Sequence, residues 1–375
     1  MHSTIPGLKG PSLTKTLLYL NGIAAFCVIL FHSAGWVMTS MFSWYARYPA
    51  STSPEILATS PAFYFIRAIE QVVVFSIPAF IFVSGYFAAF LAGRQANKIS
   101  YRQTISRIRG LIIPYLVWSV LFMALGVLEG KNFSLDRIAT NLLLGTTTPA
   151  YYYVPLIIQL YLIAPVLIAL ARRNWKVLIF LTALTQLLVH LPASLSLWGI
   201  QNEWINALPQ IPKWLFVSRL FWFSAGIVTG LHLTKIRPIL QKMNPLFGYS
   251  AIFFVVAGFI EWEVFKGPIQ TRETIIDWFY EISVLLYFLS LLESKKLPLT
   301  KTSNFLGSKS YGIYLAHVPI MEVMARGIYL IAPWVLPNQL LFFILIFITG
   351  LGLPLVGMQL FSLPKLKPIY GFLFG

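Results

Sequence analysis

Long apolar runs separated by short polar clusters set the organisation of this chain. About 20 apolar residues in helix cross a hydrocarbon core of roughly 30 Å. Ten segments reach or approach that length: residues 16–37, 63–92, 110–128, 151–171, 177–191, 214–233, 245–260, 275–292, 305–331 and 339–363. Segment 177–191 is short and 245–260 is weakly marked. A closed β-barrel needs strict alternation over about ten residues with turn residues between, and unbroken runs such as 340–348 lack it. The pattern predicts an all-α fold, a polytopic membrane helix bundle of about ten transmembrane helices. No repeat of 20–50 residues and no low-complexity linker interrupts it, so residues 1–375 read as a single transmembrane domain.

Composition agrees with the pattern. Hydrophobic residues make up 58% of the 375 and charged residues 11%, against about 25% charged in soluble domains. The net charge of +16 suggests a nucleic-acid partner until the positions are read. An even number of spans puts both termini on one side. On that side the loops carry 19 of the 28 Lys and Arg and a single acid, Glu293. Basic residues concentrate on cytoplasmic loops, so both termini are expected in the cytoplasm and the net charge reports topology. No nucleic acid is expected as a partner, because no basic-aromatic module stands outside the spans. Residues 1–14 are polar and the next apolar run is full length, so no cleavable signal peptide is expected. The one cysteine, Cys27, excludes a disulfide framework. A multi-pass protein of the plasma (inner) membrane, in contact with lipid, is the expectation.

Three stretches carry a resemblance. Span one contains Leu20-Asn-Gly-Ile-Ala-Ala-Phe-Cys-Val-Ile-Leu-Phe-His32. Span two contains Ile77-Pro-Ala-Phe-Ile-Phe-Val-Ser-Gly-Tyr86, followed by a basic stretch and Arg107-Ile-Arg-Gly-Leu-Ile-Ile-Pro-Tyr115. Span nine contains Leu306-Gly-Ser-Lys-Ser-Tyr-Gly-Ile-Tyr-Leu-Ala-His-Val-Pro319. In order and spacing these resemble the acyltransferase-3 family of integral membrane acyltransferases, and the aromatic-rich 151–165 is similar to that family's fourth span. The resemblance implies transfer of an acyl group, most often acetyl, from a cytoplasmic coenzyme A thioester (acetyl-CoA as co-substrate) to a hydroxyl of an envelope polysaccharide or lipid-linked sugar. Envelope glycan assembly proteins are then possible partners. The family opens on an Arg followed, after ten residues, by a His. Here Asn21 stands at the Arg position, which removes the cation associated with the acyl donor.

The residues can be read physically beside that resemblance. Asn21 and His32 are eleven residues apart, about 20° past three helical turns, so they share a face roughly 16 Å apart along the axis. That separation is comparable to an extended pantetheine arm. An ionisable residue inside a span is costly and functional by default, which makes His32 the candidate general base or nucleophile. The bland alternative is a buried histidine satisfied by a hydroxyl such as Ser33. Glu70, at a similar depth in span two, is the candidate partner that fixes the His32 tautomer, with an Arg67–Glu70 ion pair at i, i+3 as the alternative. In span nine Ser310, Tyr314, His317 and Met321 form one stripe at i, i+4, i+7 and i+11. His317 either holds a substrate or bonds helices together.

Arg107 and Arg109 border the membrane entrance, where guanidinium forks suit phosphates; they are the candidate donor contacts together with Asn21 and Ser84. Topology and anionic lipid explain the basic loop equally well, and packing at Ser84-Gly85 explains Ser84. Tyr152 and Tyr153 read as an interfacial aromatic belt or as a stacking surface for a sugar. Glu322 and Arg326 are spaced to pair with each other. No G-x-S-x-G, H-E-x-x-H or P-loop is present, and with five scattered histidines and one cysteine no metal site is expected. Two rivals remain: a secondary transporter or exporter of a polar solute, and a catalytically inactive glycan-binding relative, which Asn21 keeps open.

Overall fold

The computed structural model describes residues 10–49, 51–94, 101–200, 203, 211–265, 273–291 and 297–375. Lys98 and Glu293, both weighed in the charge pattern, and His2 lie outside them. Among the described residues the fold is all-α, as the hydrophobic pattern predicts. In chain order the helices are α1 (Gly10–Ser43), α2 (Pro54–Ala58), α3 (Pro61–Val73), α4 (Ser76–Arg94), α5 (Tyr101–Leu128), α6 (Leu135–Leu144), α7 (Tyr153–Leu197), α8 (Leu220–Lys242), α9 (Asn244–Phe265), α10 (Ile275–Ser290), α11 (Thr300–Ile331), α12 (Gln339–Phe361) and α13 (Lys367–Phe374).

Seven helices among the described residues are long and apolar enough to cross a membrane, against the ten segments anticipated. Three differences account for this. The 45-residue α7 contains two anticipated segments, because its backbone leaves the helical region at Asn174 (φ −156°, ψ 89°). Gln159 and Gln186, about 22 and 18 Å from Asn174 on either side, both hydrogen-bond the short stretch around Trp214–Ser218, so the chain reverses at Asn174. Helix α10 has 16 residues, about 24 Å, which falls short of the core thickness. Helix α11 is long but opens on a polar stretch from Lys301 to Ser310. Segment 63–92 is also not one helix. It breaks at Val74-Phe75, where Pro78 lacks an N–H and its ring excludes the carbonyl four residues back.

The chain forms two compact units, one of Met1–Ala24, Phe75–Thr104 and Gln159–Ser308, the other of Ala25–Val74, Ile105–Ile158 and Lys309–Gly375. In the first unit, small residues bring helix backbones into direct contact. A β-carbon on Gly85 of α4 would lie 2.1 Å from the Phe223 carbonyl oxygen, and one on Gly226 of α8 would lie 2.0 Å from that of Phe82. Gly22 and Gly307 face Ser303 and Leu18 at 1.8 and 2.0 Å in the same reciprocal way. These contacts give a direct expectation. Gly85→Ala forces α4 from α8 and destabilises the protein by about 1–3 kcal/mol, read as a lowered unfolding temperature. Gly327→Ala, inside α11 where nothing lies within 4 Å, causes no such loss.

Candidate active site

The second unit assembles a site around α11, and the assembly begins with a proline. Pro319 carries no N–H, so the Leu315 carbonyl four residues earlier lacks its helical donor. The Tyr151 hydroxyl supplies a substitute, donating to Leu315 O at 2.7 Å. Reciprocally, the Tyr314 hydroxyl donates to the Ala150 carbonyl. The turn that delivers Tyr151 requires Gly145, which ends α6 at φ 68°; a β-carbon there would meet the Tyr151 carbonyl oxygen at 2.4 Å. Tyr115 of α5 donates to Leu142 O at 2.8 Å and sets its ring 5.8 Å from that of Tyr151. Tyr151 is wholly buried, Tyr153 is buried against the Tyr314 ring at 5.3 Å, and Tyr152 is half-buried. Tyr151 and Tyr153 are therefore core side chains, and the hydroxyls of Tyr151 and Tyr314 find backbone carbonyls inside the protein.

His317 lies at the centre of this frame, with no exposed surface. Its Nδ1 is 2.7 Å from Tyr314 O and 3.1 Å from Ile313 O, so Nδ1–H donates and the neutral ring keeps its lone pair on Nε2. That Nε2 has no hydrogen-bond partner. The His32 ring sits 5.0 Å away, centroid to centroid, at 53°. His32 itself is only half-buried and keeps accessible surface. Ser33 donates its proton to Ile29 O at 2.7 Å and so is committed to its own helix. Two imidazoles from α1 and α11 thus share one site, one of them accessible and the other holding an unused acceptor lone pair.

The other candidate residues fall as follows. Glu70 is buried and pairs with Arg67 at i, i+3, the alternative weighed above for its carboxylate. Arg107 is half-buried and Arg109 exposed. Asn21 and Ser84 belong to the first unit and both are half-buried. The Asn21 Oδ1 is buried without a hydrogen-bond partner, as is that of Asn304, which follows the Ser303 backbone against which Gly22 packs. Glu322 and Arg326 pair at 2.6 Å. Among the described residues no three of His, Cys, Asp and Glu group as a metal would require.

A second polar cluster, in the first unit, was not singled out from the sequence. Arg219 occupies the N-cap position of α8, and Glu273 precedes Thr274, whose side chain forms a capping box with Asp277 at the start of α10. The two side chains form a bidentate ion pair, and Arg219 is 4% exposed. His190 of α7 lies with Nδ1 3.0 Å from the Glu273 carbonyl and Nε2 3.1 Å from the Gln186 amide nitrogen, which also donates to Ser218 O. Burial acts to raise the Glu273 carboxyl; the Arg219 guanidinium, joined by His190 and Lys213, outweighs burial and holds the group below the usual carboxylate range.

Comparison with known proteins supplies the wider frame. The acyltransferase domain that defines the acyltransferase-3 family matches residues 17–358. A probable poly-beta-1,6-N-acetyl-D-glucosamine export protein of Staphylococcus aureus strain MSSA476 is 21% identical over 264 residues, covering 68% of this chain and 71% of its own. The protein of the same description from strain MRSA252 is 20% identical over the same coverage. No solved structure matches this chain. The match across nearly the whole sequence, spanning both the His32 and the His317 stretches, settles the family: the chain is a membrane protein that belongs to the acyltransferase-3 family.

Proposed function

We propose that the protein is an O-acyltransferase that moves an acyl group, acetyl in the simplest case, from a coenzyme A thioester to a hydroxyl of an envelope glycan or lipid-linked sugar. The observation that carries this reading is the His32–His317 pair. His317 Nε2, fixed as an acceptor by the backbone bonds at Nδ1 and without a partner in the structure, takes the His32 N–H once the His32 ring, 5.0 Å away centroid to centroid, turns toward it during reaction, and the other His32 nitrogen then acts as base. That nitrogen takes the proton of the acceptor hydroxyl, whose oxygen attacks the thioester carbonyl. The tetrahedral intermediate then expels the thiolate, which takes the proton from the imidazolium, so the products are the ester and free coenzyme A. This arrangement performs the orienting work of a carboxylate with a neutral ring, consistent with Glu70 being engaged by Arg67.

Donor binding without the Arg of span one fits a neutral partner. In the first unit, the unpartnered Asn21 Oδ1 is an acceptor suited to an amide N–H such as the pantetheine arm carries.

A second reading, export of a glycan, is favoured by the description of the staphylococcal relatives. Deleting the protein separates the two. Acyl transfer predicts cells that still deliver the glycan to the surface but with its ester content lost. Export predicts glycan retained inside the cell, and normal surface ester content in deleted cells would overturn the enzymatic reading.

A further inference from the structure

The first unit contains a cavity of about 280 Å3, lined by the Arg219–Glu273 pair, His190, Lys213 and Ser218 and by apolar groups that include Pro192 and Ala193. We propose that this cavity is a subsite for a single pyranose ring of the acceptor saccharide; the identity of its occupant rests on the glycan-acylation reading above.

Size is the first argument. At about 280 Å3 the cavity lies close to the roughly 300 Å3 at which small-molecule sites begin, the scale of a single sugar ring. Its lining is the second. A pyranose presents C–H faces and a rim of hydroxyls that each donate and accept. The lining offers both kinds of surface, aliphatic from Pro192 and Ala193, cationic donors in Lys213 and Arg219 and a carboxylate acceptor in Glu273. Preorganisation is the third. A buried ion pair is expensive to desolvate and rarely improves stability over an apolar replacement. This one is nevertheless fixed in register by the α10 capping box and by the His190 and Gln186 hydrogen bonds. Planar, rigidly held donors and acceptors suit adjacent hydroxyls, for which misplacement of a polar group is costly. Position is the fourth. With the orientation implied by the basic loops, residues 190, 213, 219 and 273 all fall at the outer ends of their segments, the side from which an envelope glycan arrives.

The test is direct binding in lipid nanodiscs, free of sugar-based detergent. Saturation-transfer NMR is recorded on the full chain with two probes, the β-1,6-linked N-acetylglucosamine tetrasaccharide and the dodecyl glycoside of N-acetylglucosamine. Transfer to either supports the subsite, and the stronger of the two identifies a free glycan or a lipid-linked sugar as its source. Ala193 is half-buried, lines the cavity and belongs neither to the ion pair nor to its hydrogen bonds, so Ala193→Phe fills the space and leaves the side chains of that pair in place. It should reduce saccharide binding at least tenfold while the unfolding temperature stays near that of the unaltered chain. If Ala193→Phe binds as well as the unaltered chain, or if neither probe receives transfer, the proposal is wrong. Because the readout is binding, intact transfer in a protein that forms no ester upholds the subsite and counts only against the acylation reading.

Discussion

Replacing His32 by alanine should lower acyl transfer by about 10²- to 10⁴-fold, the range a positioned general base supplies, while leaving the protein folded. The half-buried ring fills no tightly packed core position, so its removal leaves little cavity energy to lose. His317→Ala should cost less, because its proposed role is to orient His32 through Nε2 and not to touch substrate. The double variant should be no slower than His32→Ala alone, since the His317 contribution passes through His32; such non-additivity marks residues that act as a unit. Ester formation by the four purified proteins checks this. Equal and independent losses for the two single changes would mean that the rings, 5.0 Å apart, do separate work.

The second large effect concerns stability. Arg219→Met should destabilise the protein by about 3–5 kcal/mol, because removing one partner of a buried pair strands the other charge. Glu273 would lose the cation that offsets its burial, and the wholly buried Glu281, neither of whose carboxylate oxygens has a hydrogen-bond partner, would lose the nearby guanidinium too. Since the Glu273 carboxyl is held below its ordinary value in the folded state, its contribution is present above the unfolded pKa, about 4.5, and is lost as pH falls through the lower folded value. The unaltered chain should therefore lose part of its stability on acidification in that window. In Arg219→Met this acid-linked loss should vanish or reverse, because burial, no longer offset by the guanidinium, raises the folded carboxyl. Thermal unfolding between pH 3 and 7 measures both effects.

Local pattern made the membrane helices legible, and it failed where tertiary contacts decide. The run of apolar residues announces α1 and α12, but Pro78 ends a helix whereas Pro165, Pro192, Pro238, Pro319 and Pro354 lie within helices. Only the partner taken by a freed carbonyl separates these outcomes, as the Tyr151 hydroxyl on Leu315 shows, and that partner is 164 residues away. His32 and His317 were each visible as costly polar groups within apolar surroundings. Their meeting was not, because 285 positions of chain separate them and no short-range periodicity relates α1 to α11. The place of Tyr151 was hidden for the same reason: an aromatic cluster at a helix start reads as interface until the Tyr151 hydroxyl is seen to find a carbonyl inside. The Arg219–Glu273 pair left a fainter trace. An arginine at the very onset of an apolar run and a glutamate just before a Thr-x-x-Asp cap are both ordinary loop residues in sequence, and only burial makes them a site.

The central claim is that the His32–His317 pair drives transfer of an acyl group from coenzyme A to a saccharide hydroxyl. Its most direct test is incubation of the purified protein in nanodiscs with acetyl-CoA carrying a labelled acetyl group and an N-acetylglucosamine oligosaccharide. Base-labile label should appear on the saccharide with one free thiol released per ester formed, and both products should fall by about 10²-fold or more with His32→Ala. Label transferred equally well by His32→Ala, or glycan moved across the membrane with no thioester consumed, would contradict it.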